Sequence, residues 1–196
     1  MRDDQFSQSL EMLDHGCLPD SAVDAEDALL QLAQRYSYVF PSESTLAMLA
    51  GLGPLVELGA GTGYWAHRLR SIGVDIVAFD QAPLDGVRAN RYHQLSLPWT
   101  HVGQGDQTVL SGYADRSLLL CWPPLFSSLG DCLTYYSGNT IAYIGDGGCR
   151  TARLDHLHES FIKIATEPVR ALDPCPGVQP KLTIWKRAQG SGNVWR

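Results

Sequence analysis

The sequence predicts an open α/β fold, a mostly parallel seven-stranded sheet flanked by helices. Three observations carry the prediction. The apolar run Leu55-Val56-Glu57-Leu58 enters the turn Gly59-Ala60-Gly61-Thr62-Gly63, and Tyr64 to Arg70 then reads as a helix. A second apolar run, Val74 to Phe79, ends in Asp80. Two further apolar runs, Ser117 to Cys121 and Asn139 to Ile144, each end in a turn. Strand, glycine turn, helix and strand in this order make a βαβ unit, whose crossover is right-handed.

The remaining elements follow from periodicity and punctuation. Residues 22–35 place Ala25, Leu29, Leu30, Leu32 and Ala33 on one helical face, with Asp20 or Ser21 as cap. An aromatic segment, Tyr36 to Phe40, stops at Pro41. Ser42 to Leu49 is a second helix, capped by Ser42 with Glu43 in its first turn, and Gly51 and Gly53 end it. A third strand is expected around Trp99 to Val102, ahead of Gly105-Asp106. A helix fits 125–136, and another fits Thr151 to Ile162. The neighbourhood of Val169 and the run Leu182 to Trp185 supply two closing strands around a Pro-rich connection.

A glycine-rich turn at a strand's carboxyl end is where such sheets bind an adenosine-containing cofactor. Glycine lets the backbone pass close to a ligand. Asp80, at the tip of the next strand, can accept hydrogen bonds from both hydroxyls of a ribose. Dinucleotide sites use G-x-G-x-x-G around a pyrophosphate. Here Gly59, Gly61 and Gly63 form G-x-G-x-G, Tyr64 would crowd a pyrophosphate, and Glu57 would repel one. A carboxylate at that point suits an ammonium or sulfonium.

On Glu57, Gly59, Gly61 and Gly63 the chain resembles the class I S-adenosylmethionine (SAM) dependent methyltransferases, whose first motif is E-x-G-x-G-x-G. The run Gly59-Ala60-Gly61-Thr62-Gly63-Tyr64-Trp65-Ala66 is similar to a small branch of that superfamily. The resemblance implies a Rossmann-like fold with SAM as co-substrate. Its cofactor residues would be Glu57, Gly59, Ala60, Gly61, Gly63, Tyr64, Trp65, Asp80, Gln81, Asp106 and Cys121. Asp106 would accept from the adenine amine. Cys121-Trp122-Pro123-Pro124 stands where amino-methylating relatives carry Asn/Asp-Pro-Pro-aromatic. The acceptor-orienting amide is missing, so amine specificity is not carried over. Trp122 can still turn its ring face to a cation.

Tyr36 and Tyr38 precede the core, and N-terminal helices in small members of the superfamily fold over the cofactor. The expectation is therefore a helical lid over 1–50, a SAM-binding domain over 51–188 and a loose tail over 189–196. The two tyrosines would stabilise the sulfonium and exclude water. Asn139 and Asp146 bracket the fifth strand and complete the candidate catalytic set of Tyr36, Tyr38, Trp122, Asn139 and Asp146.

Composition limits the partners. The 196 residues carry a net charge of −6, and no Lys occurs before Lys163. Phosphate binding needs clustered cations, so a small-molecule substrate is expected rather than a nucleic acid. The N-terminal residues have no apolar signal core, and no run reaches the roughly 18 apolar residues of a membrane span. Five cysteines with no C-x-x-C fit a reduced cytoplasmic compartment, without a disulfide framework or zinc site. His156 and His158 would point apart on a helix, so no metal is expected. The chain would be a monomer or homodimer.

Three functions are open to such a chain. The first is methyl transfer from SAM to a small acceptor. The second is intramolecular cyclisation of SAM to azetidine-2-carboxylate and methylthioadenosine, for which Asn139 or Tyr38 would help to supply a neutral amine. The third is a non-catalytic subunit with the same fold.

Overall fold

A computed structural model describes residues 30–86, 90, 92–93, 97–125, 129–172 and 177–188. The expected cap at Asp20 or Ser21, the start of the first helix and the tail over 189–196 lie outside the described residues. Residues 30–35 are helical. They lead into β1 (Val39–Phe40) and α1 (Glu43–Ala50). Ser42 caps α1 as expected: its hydroxyl accepts from the Thr45 amide, and the Thr45 hydroxyl accepts from the Ser42 amide.

The central unit is β2 (Leu55–Leu58), α2 (Tyr64–Ser71) and β3 (Ile76–Asp80). Then come β4 (Gly103–Gln104), a 3-10 turn over Gln107–Gly112, β5 (Ser117–Cys121), α3 (Leu129–Tyr135) and β6 (Thr140–Gly145). A short α4 (Leu157–Ser160), β7 (Phe161–Pro168), β8 (Arg170–Ala171) and β9 (Lys181–Arg187) follow.

Seven strands form one sheet in the order β4-β3-β2-β5-β6-β9-β7. The first five are parallel, and β9 runs antiparallel to both of its neighbours. β2 pairs with β3 on one side and with β5 on the other, so the winding reverses between β2 and β5. The carboxyl ends of these two strands therefore splay around a crevice. Both faces of the sheet are covered. Leu119 faces the layer containing Leu49, Trp65 and Leu69, while Leu118 and Leu120 face that of Tyr136, Tyr143 and Trp185. Period-two alternation with both faces apolar is what makes β5 an unbroken apolar run.

Two expectations change. The third strand begins at Gly103, just beyond Trp99 to Val102. The Trp99 amide instead donates to the Thr62 carbonyl, and Arg70 donates to the Thr100 hydroxyl. The helix expected over Thr151 to Ile162 shrinks to Leu157–Ser160. Thr151 bridges to Pro124, and Phe161 onward pairs with β9 as an edge strand. Here cross-strand pairing overrides a local helical pattern. Finally, Cys149 is disulfide-bonded, while Cys121 and Cys132 are free. No described helix is long and apolar enough to cross a membrane.

Candidate functional site

The glycine turn has a separate reason at each position. Gly59, Gly61 and Gly63 have φ of +75°, +53° and +72°, a region other residues rarely enter. A Cβ at Gly59 would meet nothing within 4 Å. One at Gly61 would stand 2.7 Å from His93 Nε2, and one at Gly63 would stand 2.8 Å from Val102. Gly59 thus faces open space, whereas Gly61 and Gly63 make room for other parts of the protein.

Asp80 holds this turn. Its Oδ2 accepts from the Gly61 amide at 2.9 Å and its Oδ1 from the Ala82 amide at 2.9 Å. Asn90 Nδ2 also donates to Oδ1 at 3.5 Å, so the second lone pair of Oδ2 is the one left for a ligand. Glu57 is 1% exposed, and its Oε2 has no hydrogen-bond partner among the described residues. Burial pushes its carboxyl up to about 8; Arg70 opposes this and Asp80 adds to it. Burial also pushes the Cys121 thiol well above its ordinary value, with the neighbouring Glu57 adding to the effect.

Across the crevice, the chain after β5 is strained. Trp122 has φ of +51°, the one positive value among described non-glycine residues, and its amide is fixed by the Ile144 carbonyl at 2.8 Å. Strain of this kind collects at functional sites. Asp106 caps the 3-10 turn, its Oδ1 accepting from the amide and hydroxyl of Thr108. These bonds hold its carboxyl below the ordinary value.

A cavity of about 1120 Å³ occupies the crevice. Glu57, Gly59, Ala60 and Gly61 line it from β2 and its turn, and Asp80, Gln81 and Asp106 line it from the neighbouring strands. Cys121 and Trp122 line it from β5, and Tyr36, Tyr38, Tyr64 and Trp65 also border it. Gly63 lies outside the lining because its role is packing.

Two of the catalytic candidates are not brought there either. Asn139 precedes β6, at the sheet's opposite end, where its carbonyl accepts from the Arg187 amide. Asp146 follows β6, but its carboxylate is turned inward on its own loop. It accepts from the amides of Cys149, Arg150 and Thr151 and from the Thr151 hydroxyl. Burial alone would raise its carboxyl; these bonds hold it below its ordinary value.

The lid expectation divides between its two tyrosines. Tyr36 is 2% exposed, with ring centroids 5.5 Å from Tyr64 and 5.1 Å from Trp99, so it belongs to the core. Residues 34–40 form a strap stapled to the glycine turn through their carbonyls. His93 Nδ1 donates to Gln34 at 2.9 Å, Trp99 Nε1 to Arg35 at 2.8 Å and Trp65 Nε1 to Val39 at 3.2 Å. The Thr62 hydroxyl donates to the Tyr36 carbonyl. The Thr-x-Tyr-Trp part of the motif therefore secures the strap. Tyr38, half-buried, keeps its place on the cavity.

Sequence reasoning missed Asn90, Tyr92 and His93, which line the cavity from the segment after β3. That segment is polar and aperiodic, so no pattern marks it. Asn90 Nδ2 donates to the Ala82 carbonyl, and its Oδ1 accepts from the amides of Tyr92 and His93.

Strand order and crevice together define the Rossmann-like fold of the class I SAM-dependent methyltransferases. The magnesium protoporphyrin IX methyltransferase of Synechocystis PCC 6803 with bound SAM is similar at a TM-score of 0.50 and 11% identity, over 86% of this chain and 85% of that one. Its S-adenosylhomocysteine (SAH) complex gives 0.50 and 11%, over 87% and 89%. The CcbJ methyltransferase from Streptomyces caelestis gives 0.47 and 16%, over 73% and 86%. No protein-family model matches the chain, and no curated protein does.

Proposed function

We propose that this chain is a SAM-dependent enzyme that transfers a methyl group to a small-molecule acceptor. The observation that carries the reading is the buried Glu57. Glu57 borders the cavity beside Gly59, the glycine that faces open space, and its buried Oε2 has no hydrogen-bond partner among the described residues. An orphaned buried carboxyl oxygen is costly unless a ligand satisfies it, and a ligand ammonium would do so. The acceptors fit SAM elsewhere too: Asp80 would accept from the ribose hydroxyls and Asp106 from the adenine amine.

SAM supplies an electrophilic carbon on a sulfonium, so the chain needs no covalent nucleophile. Its own residues would position and shield. Trp122 would turn a ring face towards positive charge, and Tyr38 would close the acceptor side. The cavity exceeds the roughly 300–1,000 Å³ of a single-ligand pocket, which leaves room for an acceptor beside the cofactor. The net charge of −6 supports a small molecule over a nucleic acid.

The cyclase alternative drew on Asn139 and Tyr38, of which Tyr38 alone borders the cavity. A purely structural subunit would have no use for the orphaned Glu57 oxygen. Incubation with SAM, followed by product chromatography, tests all three readings. SAH released with candidate acceptors supports methyl transfer, and methylthioadenosine supports cyclisation. Absence of SAM binding in calorimetry would reject both.

A further inference from the structure

We propose that His93 is a cofactor-binding residue, its Nε2 accepting a hydrogen bond from a donor group of the ligand in the glycine turn. The inference rests on the SAM reading and extends it to a residue that no motif marks. The geometry fixes which nitrogen is available. Nδ1 lies 2.9 Å from the Gln34 carbonyl oxygen, which can only accept, so Nδ1 carries the proton. In the neutral ring Nε2 is then a bare acceptor. It has no protein hydrogen bond among the described residues, and it stands 2.7 Å from the point where a Gly61 Cβ would be. Gly61 donates its amide to Asp80 Oδ2, so the imidazole and the carboxylate meet at one glycine.

The surroundings keep the ring neutral. His93 is 8% exposed, and burial pushes its imidazole below the ordinary value. The Gln34 carbonyl and Asp80 oppose that shift. Tyr38 faces it from the strap at 6.0 Å, and Asn90 holds its amide from its own segment. A neutral ring with a tethered Nδ1–H is a fixed acceptor, the way a carbonyl-tethered histidine is oriented in a metal or catalytic site. SAM and SAH carry two kinds of donor that could reach it, the ribose hydroxyls and the methionyl ammonium.

The test uses the full chain labelled with 15N-histidine. The His93 signals are assigned by their loss in His93→Gln. Before ligand, Nδ1 should be protonated and Nε2 bare. SAH should shift Nε2 towards a hydrogen-bonded acceptor and leave Nδ1 unchanged. Methylthioadenosine keeps the ribose and lacks the ammonium. A shift with both ligands assigns the ribose, and a shift with SAH alone assigns the ammonium. His93→Gln should weaken SAH about three- to tenfold in calorimetry, as one neutral hydrogen bond is lost. Calorimetric binding of SAH by wild type without movement of Nε2 would overturn the proposal. So would equal affinity of a folded His93→Gln, or of His93→Asn should Gln fail to fold. No SAH binding by wild type at all would reject the SAM reading itself, and the role of His93 with it.

Discussion

At the scale of residues, Glu57 links folding to ligand chemistry. Its carboxyl rises from 4.5 to about 8 on folding, so the folded chain holds that proton more tightly than the unfolded one. The resulting stability is fully present below about 4.5 and is lost as pH rises towards 8. A cationic ligand favours the carboxylate and should expel the proton. SAM binding near pH 7 should therefore release protons, seen as a binding heat that varies with the ionisation enthalpy of the buffer. A buffer-independent heat would contradict this. Glu57→Gln should stabilise the unliganded protein at pH 8, yet weaken SAM by about ten- to a hundredfold, the worth of a charged hydrogen bond.

The glycines allow a paired prediction. Gly59→Ala adds a methyl into open space at φ of +75°, costing about 1–2 kcal/mol in strain. The variant should fold and lose SAH affinity. Gly61→Ala instead drives a methyl into the His93 ring and should lose more stability in thermal unfolding. Normal SAH binding by Gly59→Ala would place the ligand away from that turn. The glycine turn and Asp80 were legible because their chemistry is local and contiguous. His93 was not, because the chain delivers it through a polar segment without period.

At the scale of elements, the strap over 34–40 is held through its carbonyls by His93, Thr62, Trp65 and Trp99. Tyr36→Ala should cost about 3–5 kcal/mol in chemical denaturation, as for other large buried aromatics. Tyr38→Ala should cost little stability and show its effect on ligand affinity. Similar losses for the two would refute the division between core and cavity. Trp99→Phe keeps the ring and removes the bond to the Arg35 carbonyl, so about 1 kcal/mol is expected. β2, β5 and β6 were readable as apolar runs because they are buried on both faces. β7 was not, since its alternation of Ile162, Ile164 and Thr166 follows a short helix and takes its register from β9. Asn139 and Asp146 show two further limits: Asn139 falls at the end of β6 away from the site, and Asp146, past the other end, turns its carboxylate onto its own loop.

At the scale of the whole molecule, the sheet has unequal edges. β4 is two residues long, while β7 is eight and exposes Ile162 and Ile164. A register shift between Lys163 and Ala165, together with Lys163 and Pro168, blunts that long edge against pairing with another chain. Lys163→Ile should therefore promote self-association, measurable by light scattering. Unchanged scattering would mean that the irregular backbone suffices.

The strap has a further consequence, for the order in which the molecule can be assembled. β1 pairs with β8, roughly 130 positions later in the chain, and the Leu172 amide closes on the Tyr38 carbonyl. A polypeptide emerging from the ribosome exposes its glycine turn early, but the strand that anchors the strap beside it arrives late. Contacts so distant in sequence form slowly, because a long loop must close before they contribute. The nascent chain would carry every motif residue and still lack a finished pocket, so competence to hold a nucleoside would come as one of the last steps of maturation.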